Sequence, residues 1–400
     1  MKEIKKVTIF GSYNGNSIGD TAILIGILSS LERIFNEHIK VDVLVIKRIG
    51  LLDELKKFNL NICPNEIVIN KFESNTKFFP KFSRLLKKIK NKFFSETIID
   101  VSKLNKSLSN SDFLLIGGGN LIMDLFPKWP KMLKQVCHEA NKTKTKYSII
   151  GVGAGPINTQ KGADILNKSL IGANSVYFRD NESKKYCNEI LGFNDSLLIP
   201  DLALSIKHNH NNNKRKNRVL INVASLYGDL WPEKNPTKFK KYIDGMVNLT
   251  LLIKDSLNVD ELVVFNSNYP TDKEGSDVFI NQLQESVKNI QLKIISGRRS
   301  VFELIQIGET ATLAVVTRLH AGIIAAHGGC NVIAIAYQPK VKDVLQGFGI
   351  SKSIIDLSTL LDWDRLNIEK KLKTTLDSEQ LKHNMCFQKE IDKIISSILK

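Results

Sequence analysis

The residues of this 400-residue chain that are best suited to chemistry lie in the segment Ala311–Lys340. Arg318 and His320 stand two residues apart directly after an apolar run, and Lys340 follows a second such run. Histidine can transfer protons near neutral pH because the unperturbed pKa of its ring is about 6.5. Arginine and lysine hold anions. The spacing therefore predicts a proton-transfer group beside fixed positive charges, which suits a small anionic substrate.

Two strands and a short helix must position these side chains. Thr312–Val316 and Val332–Tyr337 have the length and the β-branched composition of buried strands, and Ala321–His327 between them predicts a compact helix. Ligands of open α/β sheets bind beyond the carboxyl ends of the strands. A helix that begins there offers free N–H groups to an anion. We therefore expect the three polar residues to converge on one anion pocket.

Length and composition bound the remaining possibilities. The length predicts two domains, and 42% hydrophobic residues predict a sizeable core. The formal net charge of +16 favours an anionic partner, but no recognised nucleic-acid module is present, so we expect no nucleic-acid partner. Five scattered cysteines without a CxxC pair suit a reducing compartment. The chain begins without a leader pattern and contains no long apolar run, so we expect a cytoplasmic protein without a membrane span.

The first half opens like a Rossmann-type unit. A strand over Val7–Phe10 runs into the Gly/Asn-rich loop 11–20, and Thr21–Phe35 has the apolar spacing of a helix. The loop matches neither GxGxxG nor a P-loop, so a ligand-binding role and a plain tight turn both remain open. A short third strand is predicted over Ile67–Ile69.

Glycines recur at the ends of later strands. Phe113–Ile116 ends in Gly117–Asn120, and another strand ends in Gly151–Pro156. Glycine lets the backbone pass close to a ligand or to a neighbouring helix, and both interpretations stand. Farther on, Asp180 is predicted to cap a helix. Arg179 before it is then a cation aimed over the edge of the sheet.

The polar, low-complexity stretch 206–218 predicts a linker between two halves. The predicted division is an N-terminal Rossmann-like domain over 1–205, a C-terminal one over 219–365, and C-terminal helices over 366–400. Strand–helix alternation in both halves predicts two doubly wound α/β domains that face each other across a cleft.

Other histidines and carboxylates do not suggest a metal site. His208 and His210 are two residues apart within the linker but lack further ligands, so we interpret them as surface histidines. His327 lies on an apolar helix and is interpreted as a core histidine. No carboxylate cluster has the pattern of a metal site, and we expect no bound metal.

The segment Phe78–Phe94 alternates lysines and an arginine with phenylalanine, leucine and isoleucine. This pattern is typical of a basic amphipathic helix at a membrane surface. It also fits a domain helix with a solvated lysine face, and we favour this second interpretation because surface lysines are common.

Seven short motifs occur in an order that resembles the polysaccharide pyruvyl transferase family. The motifs are Gly19-Asp20, Gly117-Gly118-Gly119, Gly151-x-Gly-x-Gly-Pro156, Arg179-Asp180-x-x-Ser183, Pro200-Asp201, Arg318-Leu319-His320 and Tyr337-x-x-Lys340. The resemblance runs from about Ile9 to about Gly349 and depends on the ordered set, because no single motif is specific.

This resemblance implies a fold like that of GT-B glycosyltransferases. It also implies phosphoenolpyruvate as the donor and a sugar of a cell-surface or extracellular polysaccharide, or its lipid-linked precursor, as the acceptor. The product would be a pyruvate ketal, with release of phosphate and without a further cofactor. The segment 78–94 would suit a lipid-linked acceptor at the inner face of the plasma membrane.

Residue roles follow from the motifs and the chemistry together. His320 is the predicted acid or base that transfers the proton. The predicted donor-binding residues are Arg179, Arg318 and Lys340. The predicted acceptor or loop residues are Asn16, Gly19, Asp20, Gly118, Gly119 and Asn120. Because Arg179 belongs to the first half and the other donor-binding residues to the second, the site is expected in the interdomain cleft and the cleft to close on the donor.

Two alternatives remain open at the level of sequence. One is a nucleotide-sugar glycosyltransferase of the GT-B type, which would share the cleft and its cations. The other is a non-catalytic protein that binds anionic ligands through its net positive charge. The sequence carries no expectation about the oligomeric state.

Overall fold

The computed structural model describes residues 5–36, 38–46, 50–70, 97–208, 216–287, 290–295, 297, 299–347, 351–377 and 384–400. Phe78–Phe94 lies outside these residues, so its two interpretations stay open. Within the described residues the chain forms two parallel β-sheets and one small antiparallel pair of strands. Among the helices described, none combines the length and the apolar composition that a membrane crossing requires.

The first sheet belongs to the N-terminal half. Its described strands are, in sheet order, β3 (Asn61–Glu66), β2 (Lys40–Val45), β1 (Lys6–Phe10), β6 (Phe113–Gly117), β7 (Lys146–Val152), β8 (Val176–Phe178) and β9 (Leu197–Leu198). The strand order reverses between β1 and β6, which pair in parallel. The loops that follow these two strands therefore meet at the switch point, where ligands of such sheets bind.

The short strand predicted over Ile67–Ile69 is present, shifted by one residue to Val68–Asn70, but it is not the third strand of the chain. The third strand of the sheet is β3, whereas β4 (Val68–Asn70) pairs antiparallel with β5 (Thr97–Ile99) outside the sheet. Strand β3 lies at the sheet edge, where its side chains are exposed or half-buried. Its sequence NICPNE therefore lacks the apolar run by which the buried strands were recognised.

The second sheet repeats the same order. Its described strands are, in sheet order, β12 (Gln291–Ile295), β11 (Glu261–Phe265), β10 (Arg218–Asn222), β13 (Leu313–Val316), β14 (Asn331–Ala336) and β15 (Ile354–Asp356). Its switch point lies between β10 and β13. The Arg318–His320 motif follows β13 directly and is thus placed at this point by the topology.

Helices connect the strands in both halves. Those in the described residues are α1 (Ile18–Phe35), α2 (Leu52–Leu55), α3 (Val101–Leu108), α4 (Lys128–Lys142), α5 (Gln160–Ile171), α6 (Asn181–Leu191), α7 (Pro236–Leu257), α8 (Lys273–Ser286), α9 (Val301–Glu309), α10 (Leu319–His327), α11 (Pro339–Gly347), α12 (Leu357–Leu361), α13 (Arg365–Leu376) and α14 (Asn384–Ile398). Two 3-10 turns cover Leu202–Ser205 and Ser351–Ser353.

Helix α1 joins the two halves. Of its 18 residues, 14 are buried, because it packs on the first sheet and also on α9 and α10 of the second half. One hydrophobic cluster consequently runs from the first sheet through α1 into the second half. The C-terminal helix α14 also packs on α1, and Arg33 Nε lies 2.7 Å from Asp392 Oδ2 across that contact. The halves therefore share a core on one side of the cleft.

Two histidines outside the predicted site stabilise this arrangement. The buried His327 donates from Nε2 to the Ala203 carbonyl oxygen at 2.8 Å, which confirms it as a core histidine. The interpretation of His208 as a surface histidine is wrong, because its side chain is only 10% exposed and its Nε2 lies 2.8 Å from Glu309 Oε1. The residues around His208 are polar, so the sequence does not indicate that His208 pairs with the buried Glu309. His210 lies outside the described residues.

Candidate active site

The loop between β13 and α10 places Arg318 and His320. Arg318 is extended at the N-cap of α10, and its backbone N–H donates to the Asn222 side chain at 3.1 Å. The Thr317 hydroxyl shares a 2.7 Å hydrogen bond with the buried Tyr242 hydroxyl. These bonds from β10 and α7 hold the turn from which the side chains of Arg318 and His320 extend.

Arg318 is held by a carboxylate of its own half. Its Nη2 lies 2.6 Å from Oδ1 of the fully buried Asp272, and its Nε lies 3.3 Å from Asp272 Oδ2. The guanidinium also lies over the Trp231 ring, 5.8 Å from the centroid. Burial alone would lower the pKa of Arg318, but the charge of Asp272 and a hydrogen bond with Tyr337 raise it above its ordinary value. Arg318 is thus a fixed positive charge.

Asp201 connects Arg179 with His320. Its Oδ2 accepts a 3.1 Å hydrogen bond from Arg179 Nη1 and lies 3.4 Å from His320 Nε2, while its Oδ1 accepts from the Ala203 amide at 3.0 Å. Burial would raise the pKa of Asp201, but the charges of His320 and Arg179 and these hydrogen bonds hold it well below its usual range. The carboxylate is therefore ionised and can orient both side chains.

Arg179 follows β8 and precedes α6. Its side chain is 6% exposed, and its Nε lies 3.6 Å from Asp180 Oδ2. Asp180 Oδ1 accepts from the Ser183 amide at 2.7 Å, which confirms the predicted helix cap. Because Asp180 is engaged with the helix, Asp201 supplies the shorter ion pair to Arg179.

The start of α1 brings the first half against His320. A Cβ atom on Gly19 would lie 2.8 Å from His320 Cγ, so only glycine allows the ring to pack here. The neighbouring Ile18 amide donates to the Ser267 carbonyl oxygen of the second half at 3.0 Å. The N-terminus of α1 and the ring of His320 thus meet at the boundary between the halves.

Asp20 lies behind this contact. A Cβ atom on Gly119 would lie 2.7 Å from Asp20 Oδ1, which places the glycine strand end directly under the carboxylate. Burial raises the pKa of Asp20, against the hydrogen bonds from Ser12 and Ser17 and the positive charges of His320 and Arg179. Asp20 therefore packs beneath the cavity, and its carboxylate interacts electrostatically with His320 and Arg179.

A cavity of about 190 Å³ lies between the halves and brings Arg179, Arg318 and His320 together. Its lining residues are Ser17, Gly19, Arg179, Ser267, Asn268, Arg318, Leu319, His320, Tyr337, Gln338 and Val341. The backbone of Lys340 lies in the first turn of α11, and its side chain lies outside the described part of the chain. The cavity therefore has walls from both halves of the chain, and its assignment to the donor stays a prediction.

The other predicted loop residues lie around this cavity rather than on its described lining. Gly118 packs against Ile23 of α1, where a Cβ atom would approach the Ile23 side chain closely. Asn120 Nδ2 donates to the Gly155 carbonyl oxygen at 2.5 Å. Asn16 is exposed, and its amide donates to the Asn14 side chain at 2.8 Å. A role of these residues in acceptor binding stays a prediction.

Sequence reasoning missed the residues that hold the arginines. Asp272, Asn222 and Trp231 lie in strand ends and loops 46 to 96 positions away from Arg318. Nothing in the local pattern around them pointed to the site. Asp201 is different, because the sequence predicts it, like Asp20, as a cap or an interdomain hydrogen-bond partner. In the structure Asp201 caps the turn Leu202–Ser205 and lies 3.4 Å from His320 of the other half. In a doubly wound sheet the successive strand ends supply such partners, so the topology could have suggested the region but not the residue.

Two halves with matching parallel sheets and a ligand-sized cavity between them define a GT-B-like protein. The polysaccharide pyruvyl transferase family model matches residues 18–339. The chain belongs to this family, which makes it a transferase of polysaccharide biosynthesis that acts on a sugar acceptor.

Individual relatives agree with this assignment. The amylovoran biosynthesis protein AmsJ of Erwinia amylovora is 22% identical over 420 residues, covering 98% of this chain and 97% of that protein. The UDP-GlcNAc 2-epimerase from Neisseria meningitidis bound to UDP-GlcNAc is 12% identical, with a TM-score of 0.58 and 99% of both chains covered. TarM is 12% identical with a TM-score of 0.56, covering 100% of this chain and 99% of its own. At these identities the solved structures show the shared fold alone.

Proposed function

We propose that this protein transfers the pyruvyl group of phosphoenolpyruvate to a sugar of a cell-surface or extracellular polysaccharide, or to its lipid-linked precursor. The observation that carries the proposal is the meeting of Arg179, Arg318 and His320 in one cavity between the halves. Two fixed cations beside a proton-transfer group match a donor that carries both a phosphate and a carboxylate. Lys340, which stands in sequence between the lining residues Gln338 and Val341, is the third proposed donor ligand.

The reaction requires proton transfers at defined places. A proton is added to the methylene carbon of phosphoenolpyruvate, and the cationic central carbon is attacked by a first sugar hydroxyl, which loses its proton. Phosphate then leaves from that carbon with its bonding electrons. A second hydroxyl attacks the same carbon and loses its proton, which closes the pyruvate ketal.

His320 lines the cavity and is proposed to deliver the proton to the methylene carbon or to take one from a hydroxyl. Asp201 orients the ring from the Nε2 side at 3.4 Å. Arg179 and Arg318 balance the charges of the donor and of the departing phosphate. No cofactor or metal takes part in the proposed reaction.

The size of the cavity separates this proposal from a nucleotide-sugar glycosyltransferase. Drug-sized ligands occupy pockets of roughly 300–1,000 Å³. A cavity of about 190 Å³ fits a three-carbon phosphate better than a nucleoside diphosphate sugar. The buried ion pairs on both arginines also favour an organised catalytic site over a diffuse, non-catalytic anion-binding surface.

The experiment that tests the function is phosphate release from phosphoenolpyruvate with a panel of glycan acceptors, including lipid-linked ones. We expect release that depends on the acceptor and falls by about 10²–10⁴-fold in His320→Gln. His138→Gln, at an exposed position of α4, is the control and should keep turnover. Absence of release with every acceptor, together with calorimetric binding of a nucleotide sugar in place of phosphoenolpyruvate, would refute the proposal.

The location of the reaction is part of the same proposal. None of the five cysteines, all of which lie in described residues, forms a disulfide, and three of them are buried. Free thiols suit a reducing compartment, so we propose that the enzyme acts in the cytoplasm. A lipid-linked acceptor would bring it to the inner face of the plasma membrane.

A further inference from the structure

A second cavity lies directly beside the donor cavity. It measures about 440 Å³ and is formed by the Gly155–Pro156 loop, one face of α6, and Gln338 of the second half. Gln338 also lines the donor cavity, so the two spaces adjoin at this residue. On the opposite side, a Cβ atom on Gly153 would lie 3.3 Å from Arg179 Nη2. The loop that builds the second cavity thus continues into the wall of the donor site.

The helix face in this cavity has the chemistry of a polyol site. Glu182, Lys185, Tyr186 and Glu189 fall at positions three, four and seven residues apart, which places them on one face of α6. Carboxylates accept hydrogen bonds from hydroxyl groups, whereas lysine and the amide of Gln338 donate them. Two carboxylates against one lysine give a net negative wall, which disfavours a second anion and suits a neutral sugar.

Tyr186 supplies a fixed apolar surface in the same cavity. Its hydroxyl accepts a 2.8 Å hydrogen bond from the Ile157 amide, and its ring packs against Gly155, where a Cβ atom would lie 3.0 Å from Cε1. Gly155 has a φ of +76°, a conformation that glycine adopts readily. These contacts hold the hydroxyl and one side of the ring, and an aromatic ring can pack against the C–H groups of a pyranose.

From these contacts we infer that this cavity, which we name the α6 subsite, binds the acceptor pyranose. The sugar would lie along Tyr186 with hydroxyls on Glu182 and Glu189, and its reacting hydroxyl pair would reach past Gln338 toward the donor. The inference rests on the proposed function, because it presumes a sugar acceptor for the group held by Arg179 and Arg318. It assigns the acceptor to α6 rather than to the Gly118–Asn120 strand end.

The test separates acceptor binding from donor binding in the same samples. Methyl pyranosides of glucose, galactose, mannose and their N-acetylamino counterparts are the probes, observed by saturation-transfer NMR with phosphoenolpyruvate present. Calorimetry with phosphoenolpyruvate reports the donor cavity. We expect at least one pyranoside to bind the wild type, and Glu182→Gln and Tyr186→Leu each to weaken it by about tenfold with unchanged donor affinity.

Asn188→Ala, on α6 but outside the cavity lining, is the matched control and should bind like the wild type. Glu182 is exposed, so its amide variant is expected to fold even if Tyr186→Leu does not. Unchanged pyranoside binding in Glu182→Gln and Glu189→Gln would overturn the inference. So would the absence of any pyranoside signal from wild type that binds phosphoenolpyruvate. Absence of donor binding would instead refute the proposed function.

Discussion

Arg179 and Arg318 reach one cavity from opposite halves, but the structure holds them differently. Arg318 is clasped by Asp272 of its own half at 2.6 Å and lies over Trp231, with 19% of its side chain exposed. Arg179 is 6% exposed and shares Oδ2 of Asp201 with His320 of the other half. The placement of Arg318 is thus internal to one domain, whereas that of Arg179 depends on how the two halves meet.

Under the proposed function, this difference would separate donor binding from proton transfer. Loss of the Arg318 clasp should weaken the hold on the donor and leave the proton-transfer group in place. Loss of the shared carboxylate should disturb a donor ligand and the proton-transfer group at once. The following substitutions probe each side of this contrast.

Asp201→Asn should have the largest effect. It leaves Arg179 and His320 in place but removes the charge that orients both, so we expect kcat to fall by on the order of 10²–10³-fold. Steady-state phosphate release measures it. Asp180→Asn, which keeps the cap of α6 and the Arg179–Asp201 pair, is the control and should stay near wild type. Equal losses in the two variants would contradict the shared role of Asp201.

Gly19→Ala should come next. The added Cβ would meet the His320 ring, with Cγ at 2.8 Å, so the ring must move. Because a displacement of about 1 Å can cost about 10²-fold, we expect kcat to fall by about 10–10²-fold. Donor affinity measured by calorimetry should change little, since both arginines keep their partners. A variant that loses donor affinity while retaining kcat would show that His320 is not the group affected.

Asp272→Asn should have a smaller and different effect. Without the carboxylate, Arg318 loses its charged clasp but keeps the Trp231 ring, so we expect the KM for phosphoenolpyruvate to rise about tenfold with kcat changed less. Asp277→Asn on the exposed face of α8 serves as the control. If kcat fell as far as in Asp201→Asn, the contrast between the two arginines would not hold.

Asp20→Asn should have the smallest effect of the four substitutions, a pH-dependent change in the stability of the folded protein. The folded protein raises the pKa of Asp20, so ionising this group costs stability as pH rises above its unfolded-state pKa of about 3.9. The amide variant lacks this cost. Its melting temperature should therefore exceed that of wild type at about pH 7, and the gain should shrink toward about pH 4. A gain that grows on acidification would reverse the assigned direction.

Much of the fold could be predicted, because parallel strands that are buried on both faces appear in the sequence as continuous runs of apolar residues. The predicted strand over Val7–Phe10 starts one residue earlier in the structure, and the one over Thr312–Val316 starts one residue later. Edge strand β3 was not predicted, because its side chains are half-exposed and its sequence therefore lacks a run of apolar residues. The convergence of Arg318 and His320 followed from one strand end.

The supporting shell could not be predicted in the same way. Asp272 and Asn222 reach Arg318 only through the pairing of β10 with β11 and β13, which no local pattern specifies. The sequence likewise does not predict that α1 is buried between the halves, because the apolar residues of a helix do not indicate how many elements pack against it. Gly19 looked like a loop residue, and only the docked ring of His320 explains it.

Calorimetric titration of phosphoenolpyruvate into wild type, Arg179→Lys and Arg318→Lys tests the central claim most directly. Both variants keep the positive charge but lose the planar fork that binds carboxylate and phosphate. We predict that wild type binds one molecule per chain and that each variant binds at least about tenfold more weakly. Absence of binding to the wild type, or equal affinity in all three proteins, would contradict a donor site built from both halves of the chain.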